Sequence, residues 1–294
     1  MAGLLLGGSA MGGCAGSPEL EDLLALQEQL RGQADASELT VVGFNLESGD
    51  AAPAYLAREY FAPLSGVDLW GLSEVQNEGW IGVLEEGAEA GEGANFTTIF
   101  GSTGGGDRLA IIYNEALLEL IAFEELEELS FEGRVRAPLV AQFQIRETAQ
   151  QFLFMVNHLY RSDAEKRHQQ ARWLNQWGRS LPLPVIAVGD YNFDFDVEAG
   201  DAGKRDLGFD LMTAEGIFTW VRPQPLTTTY CSDRYNSVLD FVFVANEAAR
   251  WPVTAATIPY ADTPYCPDTA VKSDHFPVMV TFDLAQDATE ADRP

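Results

Sequence analysis

A chain of 294 residues with 46% hydrophobic side chains can bury a sizeable core, and its length fits one folded domain with a short extension. Its charge is lopsided, with 18 Lys and Arg against 45 Asp and Glu, a net −27. So acidic a surface excludes binding to polyanions by general attraction; any such contact has to be local and helped by a cation.

The first 17 residues are small and apolar and run into glycines just ahead of Cys14, which resembles a bacterial lipoprotein signal. On that reading Cys14 carries lipid and the protein works outside the cytoplasm, held to a membrane. A structureless glycine-rich terminus is the alternative. From Glu19 to Arg31, leucines at helical spacing after Ser17-Pro18 predict an amphipathic helix, with residues 18–38 forming helix and linker. An apolar run beginning at Val41 ends on Asn45. Ala51 to Leu64 predicts a helix with Tyr55, Leu56, Tyr60 and Phe61 on one face, and Leu69 to Val75 a strand that holds Glu74. Glu78 to Gly93 reads as an acidic helix, residues 101–106 as a flexible glycine-rich loop, and Leu109 to Tyr113 as a strand introduced by Asp107-Arg108. Because that loop precedes a strand rather than a helix, it is not a helix-terminus phosphate cradle.

Leu139–Ile145 and Phe152–Leu159 read as paired strands, the second carrying His158. Asp163 to Arg179 predicts a helix capped by Asp163, with Trp173, Leu174 and Trp177 on one face and His168 among polar neighbours at the surface. Between residues 131 and 180 the cations outnumber the acids, and they either face an anionic ligand or pair with acids elsewhere. The apolar run from Val185 predicts a buried strand that stops at Gly189, from which Asp190 and Asn192, two residues apart, leave on one side. Asp240 lies inside the apolar run 238–244, and Ser273-Asp274-His275 stands just before another strand. Cys231 and Cys266 flank the Asp240 strand and could form a disulfide, which requires an oxidising compartment; two free thiols are the alternative. The acidic tail from residue 285 to 294 reads as disordered.

Taken singly, each polar residue has a bland explanation as a hydrogen-bonded histidine or a turn-forming aspartate. Several of them where burial is predicted argue for one cluster, because buried charge is costly unless paired or metal-bound. The ordered set Asn45, Glu74, His158, Gly189-Asp190-Tyr191-Asn192, Asp240 and Ser273-Asp274-His275 resembles the endonuclease/exonuclease/phosphatase family over residues 39–284. That group includes deoxyribonuclease, abasic-site endonucleases, sphingomyelinases and inositol polyphosphate 5-phosphatases. The resemblance implies an α/β fold, a four-layer α/β/β/α sandwich of two mixed β-sheets with helices outside. It also implies a divalent-metal-dependent phosphodiester hydrolase, with Mg2+ first and Mn2+ or Ca2+ as alternatives, since carboxylate and amide oxygens suit hard cations.

In that family frame Glu74, supported by Asn45 and Asp274, holds the metal. Asp190 orients or deprotonates the attacking water, and Asn192 donates to a phosphoryl oxygen. His275, oriented by Asp240, is the catalytic histidine and His158 the second one. Arg108 is expected on one wall as a substrate phosphate contact, with a surface ion pair as the alternative. Abasic-site endonucleases carry a tyrosine-containing motif where this chain has His158, which points to the deoxyribonuclease, secreted nuclease and sphingomyelinase branches. The expected function is a nuclease of low sequence specificity acting on nucleic acid or another phosphodiester, without an obligate protein partner. A phospholipid phosphodiesterase or phosphatase, and a non-catalytic binding module, are the alternatives.

Overall fold

Residues 37–232, 234–260 and 271–284 are described by the computed structural model. Cys14, the helix expected at Glu19–Arg31, Cys266 and the acidic tail lie outside the described residues.

The first sheet is built on the parallel pair β1 (Glu38–Asn45) and β2 (Leu69–Val75), flanked by β3 (Phe96–Phe100), β4 (Arg108–Asn114), β11 (Val253–Thr257) and β12 (Val278–Asp283). Its strand order is β11-β12-β1-β2-β4-β3. The second sheet is built on the parallel pair β7 (Gln151–His158) and β8 (Val185–Asp196), with β5 (Leu118–Glu125), β6 (Leu139–Ile145), β9 (Phe218–Trp220) and β10 (Ser237–Ala245). Its order is β5-β6-β7-β8-β10-β9. All other pairings are antiparallel, so both sheets are mixed.

Alternation along each strand sorts the core into layers. On β7 and β8, Phe154, Val156, Ile186 and Val188 join the core shared with the first sheet, while Leu153, Met155, Val185 and Ala187 join an outer core. That outer core is completed by α3 (Ala164–Ser180) and α4 (Leu207–Met212) through Ala171, Leu174 and Met212. On the first sheet, Trp70 stacks on Phe61 at 4.0 Å and Phe44 on Tyr60 at 5.3 Å. Those partners come from α1 (Pro53–Leu56) and the π-helical turn Ala57–Phe61 that continues it, against which α2 (Glu78–Glu92) lies. The expected Asp163 cap is in place, accepting from the Lys166 N–H at 3.2 Å; α2 is capped as well, with the Asn77 side chain accepting from the Gly79 N–H at 2.9 Å and Gly93 ending the helix in the left-handed region.

The sheets approach closely at paired glycines. Gly43 and Gly71 are cross-strand partners, and a Cβ on Gly71 would stand inside van der Waals contact of Val188 and Val156 in the opposite sheet. Gly71→Val should therefore force the sheets apart next to the polar cluster and cost about 3 kcal/mol, read as a lower denaturant midpoint at unchanged slope. A wild-type midpoint would mean the gap has room to spare.

Two local features differ from expectation. β8 does not stop at Gly189 but runs to Asp196. Gly189, at φ 131°, allows close approach to β7, since a Cβ there would collide with the Asn157 backbone, and Asn192 and Asp194, at φ 53° and 46°, bend the strand onward. β5, which sequence periodicity does not announce, is a sheet-edge strand with Ile121 and Phe123 exposed, so it lacks the half-buried alternation that reveals a strand.

Asp68, just before β2, is a buried acid outside the polar cluster. It accepts from the Thr40 N–H at 2.9 Å, and burial pushes its pKa up to about 7. A folded-state pKa above the unfolded one contributes stability at low pH that is lost as pH rises through about 7. Asp68→Asn should thus raise the melting temperature at pH 8, by roughly 2–4 kcal/mol of stability for a shift of this size, and leave it nearly unchanged at pH 4. Equal effects at both values would show that the carboxyl titrates normally.

Candidate active site

The polar residues at the strand tips meet in the gap between the sheets. Asn45 is fully buried, and its Nδ2 donates both to Glu74 Oε1 and to Asp190 Oδ2, at 3.2 Å each. Its Oδ1 accepts from the Glu47 N–H at 3.0 Å, so in this arrangement the amide orients the two carboxylates. Gly71 faces the second sheet, so plain alternation would turn Glu74 away with Leu72. A register shift between Leu72 and Val75, with Glu74 itself at φ 60°, aims the carboxylate back into the gap, where its second oxygen accepts from the Ser48 N–H at 3.2 Å. A second bulge, between Val238 and Asp240 on β10, sends Val238 to the outer core and leaves Asp240 beside Asp190.

Two histidines stand on either side of Asp190. His275 Nδ1 donates to Asp240 Oδ2 at 2.7 Å, and its Nε2 lies 3.9 Å from Asp190 Oδ2 and 3.7 Å from Asp274 Oδ1. Burial opposes the imidazolium, but Asp240, Asp190 and Asp274 outweigh it and push the His275 pKa up to about 10. Burial likewise pushes the Asp240 carboxyl up, and its bond to His275 offsets part of that shift. Thr229 Oγ1 receives the Asp240 N–H at 3.1 Å and holds the bulge in place. Ser273 Oγ donates to the Asn45 carbonyl at 2.7 Å and Asp274 N–H to Glu47 Oε2 at 2.7 Å, which fastens the Ser-Asp-His segment to the end of β1.

His158, the last residue of β7, places Nε2 at 3.5 Å from Asp190 Oδ2 and 3.9 Å from Glu74 Oε1. Its Nδ1 is 3.7 Å from Asp107 Oδ1, longer than a hydrogen bond. Burial opposes the Asp107 carboxylate, but His158 and Arg136, the latter at 3.0 Å, outweigh it and hold its pKa below the usual range. Asp107 is the site residue that strand-tip reasoning misses. Its one sequence signal is an acid between a glycine-rich loop and a strand, the same place from which Arg108 was expected as the phosphate contact.

Arg108 does not join the cleft. Neighbouring residues at a strand entry face opposite ways, so its Nε donates to the Gly105 carbonyl at 2.8 Å and its guanidinium lies over the Phe100 ring at 4.6 Å. Asn192 stays with the cluster: its N–H donates to Asp190 Oδ1 at 2.9 Å and its Nδ2 to the Leu159 carbonyl at 3.3 Å. His168 is buried rather than on the surface, with Nε2 at 3.1 Å from both oxygens of Asp206, which also binds Arg167 at 2.6 Å. Most cations of the basic segment pair with acids, as Arg136, Arg146, Lys166, Arg167 and Arg179 do. Arg161 is exposed, has no ion pair among the described residues, and lines the same cleft as Asp190. Cys231 is disulfide-bonded, and its expected partner Cys266 lies outside the described residues.

The cleft, about 480 Å³, is lined by Glu47, Glu74, His158, Asp190, Asp274 and His275. Glu74 and Asp190 are brought to one amide nitrogen, and no Lys or Arg of the described residues pairs with either. Two carboxylates held so close repel, and their oxygens, with no cysteine among the lining residues, are the donors a hard divalent cation takes. Ligand atoms of Glu74, Asp107 and His158 lie within 4.8 Å of one another, as do those of Asp190, Asp240 and His275. The residues present therefore fit a divalent metal.

Stacked mixed sheets closing over carboxylates, an amide and two histidines, each beside its own carboxylate, define a metal-dependent phosphoric ester hydrolase. The chain belongs to the Endonuclease/Exonuclease/phosphatase family, whose profile matches residues 16–275. A family protein from Bacteroides thetaiotaomicron has a similar structure, with a TM-score of 0.62 at 19% identity over 83% of this chain and 94% of that one. A mannosyl-6-phosphatase from the same species gives 0.60 at 18%, over 82% and 98%. TDP2 from D. rerio, complexed with a single-strand DNA product, gives 0.57 at 20%, over 84% and 99%. At these identities the likeness is one of fold. No curated protein matches the chain.

Proposed function

We propose that this hydrolase is a divalent-metal-dependent nuclease of low sequence preference. The observation that carries the reading is the single Asp190 oxygen lying between two imidazoles, each beside a separate carboxylate. Diester hydrolysis needs a base for the attacking water and an acid for the departing alkoxide, and this arrangement supplies separate groups for the two tasks. Asp190, held by Asn45 and Asn192, orients and deprotonates water. His275, kept protonated by Asp240, stabilises the developing charge, and His158 protonates the leaving oxygen. The free N–H of the Asn192 amide donates to a phosphoryl oxygen. Glu74 and Asp274 would hold the cation, with Mg2+ as the first candidate and Mn2+ or Ca2+ as alternatives; when bound it neutralises charge on the phosphoryl oxygens.

The assay is direct. Purified protein is given supercoiled plasmid, single-stranded DNA, RNA, p-nitrophenyl phosphate, bis(p-nitrophenyl) phosphate and sphingomyelin vesicles, each with magnesium or with chelator. Metal-dependent cleavage of nucleic acid at many positions supports the reading. Turnover of the monoester or the lipid alone would overturn it in favour of a phosphatase or phospholipid phosphodiesterase. Action outside the cytoplasm is part of the proposal, supported by the disulfide at Cys231. Lipid attachment at Cys14 is tested by palmitate labelling of the wild type and of Cys14→Ser.

A further inference from the structure

A second recess of about 740 Å³ adjoins the cleft, and the two share Asp194 and Tyr235 in their walls. Cations in and near it are mostly neutralised: Lys204 pairs with Asp196, Arg205 with Asp210 at 2.7 Å and Arg222 with Asp201 at 2.7 Å. Arg234 in the recess and Arg161 in the cleft are different. Both are exposed, and neither has an ion pair among the described residues of a chain with net charge −27. Tyr235, 55% exposed, lines both recesses. One exposed tyrosine needs no explanation, but this one lies in the wall common to two recesses and adjoins in sequence an arginine that has no ion pair among the described residues.

Both supports are braced. The Tyr235 loop begins at Tyr230, which bridges His275 in the backbone and packs its ring 5.3 Å from the imidazole. Cys231, disulfide-bonded, donates its N–H to the Asp274 carbonyl at 2.7 Å, and Ser232 Oγ accepts the N–H groups of Arg234 and Tyr235 at 3.1 Å each. The Arg161 turn is clamped by Arg167, whose Nη1 donates to the carbonyls of Tyr160 at 2.8 Å and Arg161 at 3.0 Å while Nη2 binds Asp206. An exposed tyrosine and two guanidinium groups without an ion pair among the described residues are thus held near the polar cluster.

We propose that this junction is a nucleotide subsite, in which Tyr235 stacks on the base next to the scissile phosphate and Arg234 and Arg161 hold the flanking phosphates. It rests on the nuclease reading and makes it more specific. A base can stack on Tyr235 only outside a duplex, so the ligand is a single-stranded or locally unpaired strand, and the ring is indifferent to which base it meets. Binding by two arginines also keeps the contact local, as the charge of the chain demands.

The test compares wild type with Tyr235→Ala, Tyr235→Phe, Arg234→Ala and Arg161→Ala on a single-stranded oligonucleotide, bis(p-nitrophenyl) phosphate and phosphatidylglycerol vesicles, with magnesium. For Y235A the ratio of kcat/KM on the oligonucleotide to that on the small diester should fall about ten-fold or more, and Y235F should restore it. R161A and R234A should lower the same ratio several-fold and flatten its salt dependence. An unchanged ratio in all variants overturns the subsite while leaving the nuclease reading intact, as does a loss confined to vesicles, which would assign the surface to lipid. A wild type that turns over the small diester and cuts no oligonucleotide removes the nuclease reading first, and the subsite with it.

Discussion

Asp190→Asn should lower kcat on a small phosphodiester by about three orders of magnitude or more, with KM little changed. Asparagine matches aspartate in size, and its single oxygen can still receive either the Asn45 or the Asn192 N–H group, which go to different oxygens of Asp190. Part of the local bonding is thus kept while the proton acceptor between the histidines is lost. His275→Ala should cost a similar factor. Asp190→Asn combined with His275→Ala should cost little more than either alone, because groups acting as one unit are not additive. Asp240→Asn separates orientation from acidity. Its carboxylate raises the His275 pKa, so removing it should lower kcat and move the alkaline limb of the pH–rate profile to lower pH. Turnover within ten-fold of wild type for either D190N or H275A would sink the assignment of these residues.

Glu74→Gln should uncouple the protein from its cation. In wild type, magnesium about 100-fold above its Kd should add about 2.7 kcal/mol to folding stability, visible as a higher melting temperature than in chelator. In E74Q that increment should largely vanish together with metal-dependent turnover. The metal-free variant should be at least as stable as metal-free wild type, because Glu74 and Asp190 then no longer oppose each other as charges around the Asn45 amide. A full magnesium-induced shift in E74Q would move the metal away from Glu74.

The sequence reading and the structure agree best where period-2 alternation ends on a polar residue. Asn45, His158 and Asp190 each occupy the next inward-facing position after residues that fill the gap between the sheets, so a linear pattern was enough to find them. Glu74 and Asp240 were found as polar residues in apolar runs, but their direction was not readable, since in each case a bulge decides the face. Asp107 and Arg108 show the limit more sharply. They are adjacent, and the loop geometry puts the acid beside His158 and the arginine over Phe100. His168 looked exposed because its partner, Asp206, lies 38 residues away along the chain.

What the linear chain determined by itself was most of the polar residues that gather in the cleft, the strands that carry several of them and the family to which the chain belongs. Those follow from local alternation and from an ordered set of polar residues, which survive in one dimension. Which side chains of a neighbouring pair face the cleft, which cations stay free of acids and which strand passes through a glycine instead of ending there were decided only by tertiary contacts. Bulges, left-handed residues and ion pairs between distant segments set those outcomes, and each takes its energy from a partner that no local stretch of sequence contains.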